Sequence, residues 1–430
     1  MRRLLHSLNK NLLLKLAGFN SLHVFLKIGT GALMSHLLAI YVGAAGMGIL
    51  GNLRNFVQGV LSFSVLGLEN GMVKHVAQFQ ENIPKLRKVL STAKILMFIA
   101  SLVAGILIFL AAPWLDQQLI AVDTSFANLF RWLAICLPFY VVFVFFSSLL
   151  QGFQWYKKFI WVNICISVLV FGISAYSVYQ YNLSGALYVL VVVPVIQAMV
   201  AWGWWHWGTA KTTGLSKRIN FSFDTTVVRQ LLKYSLMALF SALMIPLVHI
   251  LIRTMLMEQV SDEAAGWWEA VTRVSSYYMM FVTSLISMYV LPSLSKNSSR
   301  GNYRSTIWGF YKNILPLVII GLVAVYLCRE WIVAILFTAE FEGALPMFKW
   351  QLVGDFVKII TTVMAFRFIA QNDLRRYLTA EIISIASFYI FSWYAIPVYA
   401  EEGVVIAYLA NYIVYFVCLL ILLRKDLFKA

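Results

Sequence analysis

Lys27, Arg54, Arg131, Arg253, Arg273, Arg329, Lys349, Lys358 and Arg367 all fall within or at the ends of long apolar runs. A cation near the centre of a bilayer costs roughly 2.5–3.5 kcal/mol on insertion scales, so each needs a cavity, a partner or an anionic ligand. Guanidinium forks match phosphate oxygens two at a time. Arg54, Arg253 and Arg273, with Lys27, are therefore candidates for a phosphate or pyrophosphate site, and Lys358 and Arg367 are further cavity cations. Arg131, Arg329 and Lys349 lie near the ends of their runs, where a long side chain snorkels to the interface. Among the membrane acids Glu69, Glu269, Asp355 and Glu381, Asp355 stands three residues from Lys358. That spacing puts both on one helix face, as a structural pair or as a pair that a proton or a phosphate breaks. Glu69 precedes Asn70-Gly71 and reads either as a gate or as a solvated end. His36 and His249 are candidate proton relays, although a lone helix histidine is more often structural.

The elements that must position these side chains are membrane helices. Hydrophobic residues make up 61% of the chain and charged residues 12%, against about 25% charged in a soluble domain. Mean hydropathy is +0.80. Runs of roughly 20 apolar residues, each long enough to span, fall near 16–41, 50–73, 91–112, 127–150, 159–180, 184–207, 234–257, 268–292, 307–328, 347–370, 377–398 and 403–423. The chain is thus an all-α polytopic membrane protein of about twelve helices. Residues 329–346 form a short apolar patch and an acidic loop that cannot span alone. The stretch 26–61 holds Lys27, His36 and Arg54 and is crowded with glycines (Gly29, Gly31, Gly43, Gly46, Gly48, Gly51), which let helices approach closely.

Alternate connections carry the net charge of +16. Arg2, Arg3, Lys10 and Lys15 precede the first span, and Lys85, Arg87, Lys88, Lys157, Lys158, Lys217, Arg218, Arg300, Arg304, Arg375, Arg376 and Arg424 follow at every second connection. Asp116, Asp123, Glu258, Asp262, Glu340 and Glu401 mark the opposite ones. By the positive-inside rule both termini are expected in the cytoplasm, and the charge needs no nucleic-acid partner. The basic start leads straight into a spanning run and shows no cleavable signal.

The halves repeat. LFRW at 129–132 corresponds to MFKW at 347–350, which places Arg131 and Lys349 at an offset of 218 (349 − 131). QWYKKF at 154–159 and NDLRRY at 372–377 share that offset, as do Lys94 with Lys312 and Gly185 with Gly403; Arg54 and Arg273 differ by 219. Six spans per half give repeats of equal orientation, related by a pseudo-twofold along the membrane normal, with a central cavity as the natural site. The expected domains are an N-lobe at 1–210, a basic cytoplasmic linker at 211–233 and a C-lobe at 234–430. This is transporter architecture.

Several chemistries find no residues to carry them. There is no GxxxxGK[ST], HExxH or GxSxG motif and no Cys/His cluster with metal spacing. Cys136, Cys165, Cys328 and Cys418 lie scattered in apolar runs and read as small hydrophobes. Catalysis, cofactor and metal are therefore not expected. An energy source would be an ion gradient or the membrane potential, worth about 2.3 kcal/mol per charge per 100 mV. A drug antiporter would favour acidic residues for organic cations, whereas these candidates are basic. A membrane glycosyltransferase or polymerase would need carboxylates on a large aqueous loop, and a scaffold would not explain cations at depth.

The chain resembles the Wzx-type flippases of the multidrug/oligosaccharidyl-lipid/polysaccharide exporter superfamily, in particular O-antigen translocases and lipid III flippases. The resemblance is carried by LKIGTGALMSHLLA (26–39), GMGILGNLRNF (46–56), NGMVKHVAQFQENIPKLRKV (70–89), SLMALFSALMIPLVHILIR (235–253), YVLPSLS (289–295), WQLVGDFVK (350–358) and NYIVYF (411–416), in that order. It implies two six-helix lobes and the movement of undecaprenyl-pyrophosphate-linked oligosaccharide from the cytoplasmic to the periplasmic leaflet of the bacterial inner membrane by alternating access. The implied partners are that substrate, membrane lipids, a glycan polymerase and a chain-length regulator. In the related lipid II flippases, arginines of helices 2 and 8 line the cavity, and Arg54 and Arg273 occupy similar places here. That branch has two further helices which this chain lacks.

Overall fold

A computed structural model describes residues 23–120, 125–208, 225–296, 299–371 and 373–427. The basic residues before the first span, and positions 211–224 of the expected linker, lie outside these. The described residues form helices α1 (His23–Tyr41), α2 (Gly43–Ser64), α3 (Glu69–Phe79), α4 (Ile83–Leu119), α5 (Ala127–Gly152), α6 (Tyr156–Gly208), α7 (Thr225–Gln259), α8 (Asp262–Lys296), α9 (Arg300–Asn313), α10 (Leu315–Leu327), α11 (Arg329–Leu336), α12 (Met347–Gln371), α13 (Leu374–Tyr399), α14 (Glu401–Leu422) and α15 (Arg424–Leu427). The described parts of the expected spans are helical, as they must be where backbone polar groups in hydrocarbon are satisfied within the segment.

Three departures from the sequence reading have local causes. The ninth expected span, 307–328, is divided between α9 and α10 at Ile314, just before Pro316. The second expected span is not one straight helix. Leu66 and Gly67 adopt positive φ of 53° and 62°, which ends α2 and starts α3. α6 contains two spans in 53 residues, joined at Asn182 with φ 48° and ψ −127°. The short patch after α10 is, as expected, too short to cross: α11 has eight residues and is followed by a 3-10 turn, Ala339–Ala344.

The 218-residue repeat reappears in the backbone. Ala400 stands 218 positions after Asn182 and has φ 49° and ψ −130°, almost the same unusual conformation. Beyond each turn a glycine admits the preceding helix. A Cβ on Gly185 would lie 2.0 Å from the Ser177 carbonyl oxygen, and one on Gly403 would lie 2.4 Å from that of Ala395. Both halves therefore close their last helical hairpin with the same one-residue reversal and the same close approach. An L side chain is disfavoured at such a φ, where glycine is at ease. Ala400→Gly is thus expected to stabilise the protein by about 1 kcal/mol, measurable as a raised thermal midpoint in detergent.

The chain divides into two compact units, Met1–Met34 with Val57–Leu243 and Ser35–Phe56 with Met244–Ala430. The first unit packs Val65, Met72, Leu90, Met97, Val144 and Leu149 into a closed core, while Ile106 and Leu110 of α4 stay exposed, as lipid-facing residues should be. In the second unit, Ser35–Phe56 lies against the helices of the later half. Gly266 makes this contact possible: a Cβ there would meet the Ala44 carbonyl oxygen at 1.9 Å. Small residues let α2 and α8 touch along their backbones, which is how helices associate without a hydrophobic driving force.

Candidate functional site

The close approach of α2 to α7 and α8 places four charged groups around one point in the second unit. Glu269 of α8 is fully buried. Arg54 of α2 grips it as a fork, Nη1 to Oε1 at 2.8 Å and Nη2 to Oε2 at 3.1 Å. Arg273, one turn along α8, donates from Nε to Oε1 at 2.8 Å. Arg253 of α7 donates from Nη2 to Oε2 at 2.9 Å. Its Nη1 reaches Asn52 Oδ1 at 3.4 Å, and its guanidinium lies 4.8 Å over the Trp268 ring. Ser35 of α1 completes the surround, bonded to Tyr277 at 2.8 Å and approached by Arg273 Nη1 at 3.5 Å.

Three guanidiniums and one carboxylate leave a net charge of +2 (3 − 1). The carboxylate neutralises part of the cluster, and the remainder favours an anion. Side-chain exposure is graded: 39% for Arg54, 13% for Arg273, 1% for Arg253 and 0% for Glu269. Arg54 and Arg273 therefore face outward from the cluster, and Arg253 with Glu269 forms its base. Gly51 lets that base exist, since a Cβ there would stand 2.7 Å from both Arg253 Cζ and Glu269 Oε2. Gly51→Ala is expected to part this pair and to lower stability by about 1–3 kcal/mol, as overpacking does. Thermal unfolding of the purified variant checks it.

The remaining candidates do not gather at this point. Arg367 is buried and committed elsewhere: its Nη2 donates to Asp426 Oδ1 at 2.9 Å and its guanidinium lies 4.9 Å over Tyr303. Arg300 and Arg376 also approach Asp426, at 3.7 and 3.5 Å. This fastens the tail helix α15 to α9, α12 and α13, so Arg367 is held at a place separate from the Glu269 cluster. Among the described residues no direct ion pair joins Asp355 and Lys358. Asp355 is fully buried and accepts from Ser275 at 2.6 Å, from Tyr408 at 2.7 Å, from Gln351 at 3.2 Å and from the Tyr278 hydroxyl. Those neutral donors saturate the carboxylate. Lys358 lies instead 5.7 Å over the rings of Tyr408 and Tyr412.

His249 stacks on Trp268 at 5.4 Å and 9°, on a wall of a cavity of about 230 Å³ that Glu381, Asn411 and Tyr412 also line. His36 is half-buried, with no partner for Nδ1. Lys27 lies in the first unit on an exposed part of α1. Glu69 is exposed and accepts from the Tyr140 hydroxyl at 3.2 Å. Arg131, Arg329 and Lys349 each lie against an aromatic ring, those of Phe109, Tyr326 and Trp350.

Residues 13–298 match the family model described as polysaccharide biosynthesis protein. The chain is 30% identical over 400 residues to the lipid III flippases of Escherichia coli K12 and of Shigella flexneri, covering 91% of this chain and 93% of each relative. The chain belongs to the polysaccharide biosynthesis family. Within it the chain is a Wzx-type flippase, and family membership makes it a multi-pass membrane transporter and not an enzyme. Solved structures show the fold. An inward-facing multidrug resistance MATE transporter of the MOP superfamily superposes with a TM-score of 0.72 at 13% identity, covering 93% of this chain and 94% of that one. A MOP superfamily transporter from Pyrococcus furiosus, whose binding pocket is described as having reverse polarity, superposes with 0.65 at 14% identity over 96% of each.

For a member of this family the new residue is Glu269. In the sequence it is one membrane acid among four. Its spacing to Arg273, four residues on one helix face, was the available signal. Nothing in the spacing connects it to Arg54 or Arg253, which lie 215 and 16 residues away.

Proposed function

We propose that this chain moves an undecaprenyl-pyrophosphate-linked oligosaccharide, of O-antigen or enterobacterial-common-antigen type, from the cytoplasmic to the periplasmic leaflet of the bacterial inner membrane. The observation that carries this reading is the cluster of Arg54, Arg253 and Arg273 around Glu269, with a net positive charge inside a membrane protein of the flippase family. A pyrophosphate diester is the strongly anionic part of such a substrate, and guanidinium forks suit its oxygens. The lipid III flippase relatives support the substrate class. Lys27, exposed on α1, is a separate candidate cation.

Transport proceeds by alternating access driven by an ion gradient or the membrane potential, with both termini in the cytoplasm, as the distribution of basic connections favours. The repeat favours lobes at 1–210 and 234–430 joined by the basic linker 211–233, with Ser35–Phe56 packed in the second compact unit. His36, His249, Glu69 and Asp355 are the candidates for proton or ion coupling. A glycan polymerase and a chain-length regulator are the partners that would act on the delivered unit.

The test is complementation of a bacterial strain lacking its lipid-linked oligosaccharide flippase. Restored surface glycan with cleared cytoplasmic-leaflet intermediate is the expected result. Persistent intermediate with several glycans, despite confirmed membrane insertion, would overturn the reading.

A further inference from the structure

We propose that Glu269 is a built-in stand-in for the substrate's phosphates, which occupies Arg54 and Arg273 in the empty transporter and yields them, while keeping Arg253, when the anion arrives. The inference rests on the assignment of this cluster to a pyrophosphate group.

Three observations carry it. The first is geometric. Arg54 holds the carboxylate with both terminal nitrogens, at 2.8 and 3.1 Å, the same fork that it would present to two phosphate oxygens. Glu269 therefore keeps the guanidinium in the form in which it meets an anion. The second is the gradient of exposure. Arg54 holds both oxygens of Glu269 and Arg273 holds Oε1, and both arginines are partly exposed, while Arg253 bonds Oε2 and is buried. An incoming anion reaches the outer two arginines first. When they turn to it, the buried Arg253–Glu269 bond survives, so the exchange strands no bare charge in the interior. Stranding one would be the costly step. The third is charge. The cluster retains +2 after Glu269 is counted, and a pyrophosphate diester has two ionised oxygens to match it.

The base is built to stay. Asn52 holds Arg253 from one side, the Trp268 ring covers it, and both charged groups pack against the bare backbone of Gly51. Glu269 is thus a positioning residue with two duties. It orders Arg54 and Arg273 in advance, and it sets the affinity low enough for the anion to leave again.

The experiment titrates inorganic pyrophosphate into the purified full chain in lipid nanodiscs by calorimetry. Glu269→Gln keeps the size and one acceptor oxygen but removes the competing charge, and it is expected to bind pyrophosphate at least about tenfold more tightly than the unaltered chain, while exporting less glycan. A residue with a purely structural duty would give the opposite, weaker binding on substitution. Equal or weaker binding therefore overturns the proposal. If Glu269→Gln fails to fold, Glu269→Asp is read instead. Its shorter carboxylate withdraws from Arg54, and severalfold tighter binding is expected, with unchanged affinity as the contrary result. Arg54→Gln, alone and with Glu269→Gln, separates the two layers. Binding that persists without Arg54, or no binding in any form, contradicts the anion site itself. Binding that needs Arg54 but ignores Glu269 contradicts only the exchange.

Discussion

Arg54→Ala is expected to lower glycan export by about 10- to 100-fold in a protein that still folds and inserts. The size follows from one charge-assisted fork, worth about 1.5–3 kcal/mol, at about 1.4 kcal/mol per tenfold. The fold survives because Arg54 is 39% exposed, and a partly solvated ion pair contributes at most about 1 kcal/mol to stability. Glu269 also retains Arg253 and Arg273. Arg54→Lys is expected to recover only part of the loss, since an ammonium keeps the charge but not the fork. Surface glycan in a complemented strain, normalised to inserted protein, reads the effect. Unimpaired export in both Arg54→Ala and Arg273→Ala would remove these residues from the site.

Arg253→Ala is expected to act on a different quantity. Breaking a buried pair by removing one partner costs about 3–5 kcal/mol, and Arg253 is 1% exposed against a fully buried Glu269. The truncation also uncovers the face of Trp268. We expect a sharply lower yield of inserted protein and a thermal midpoint depressed by several degrees, with little export left to measure. The contrast is the informative part. If the cluster were a uniform structural lock, the Arg54 and Arg253 variants would lose stability together. If all three arginines met substrate equally, both would lose export at constant stability. The graded burial predicts a split between them.

Much of this arrangement was legible in the sequence, for identifiable reasons. Depth within apolar runs singled out Arg54, Arg253 and Arg273, because hydrocarbon makes a cation conspicuous wherever it stands. The 218-residue offset came from a few identities, and the backbone repeats it at Asn182 and Ala400, where the two halves share one rare turn. Glu269 was seen but not placed, since its partners come from α2 and α7 and only Arg273 shares its helix. Asp355 and Lys358 show the converse. Their spacing permits a pair, but Tyr278 from α8 and Tyr408 from α14 reach the carboxylate first, and a local pattern cannot register donors from other helices. The pairing of Arg367 is hidden for the same reason: its partner Asp426 lies 59 residues further on, in a four-residue helix. The break at Leu66–Gly67 fell inside what looked like one apolar run, because Leu66 gives no warning of a positive φ.

The most direct measurement is reconstitution of the purified chain in liposomes with a short-chain polyprenyl-pyrophosphate oligosaccharide, following its appearance in the opposite leaflet. Protein-dependent movement is expected, strongly reduced by Arg54→Ala and by Arg273→Ala. The neutral-headed glycolipid bearing the same glycan is expected not to move. Movement that is independent of both arginines, or equal for the charged and neutral lipids, would contradict the anion site.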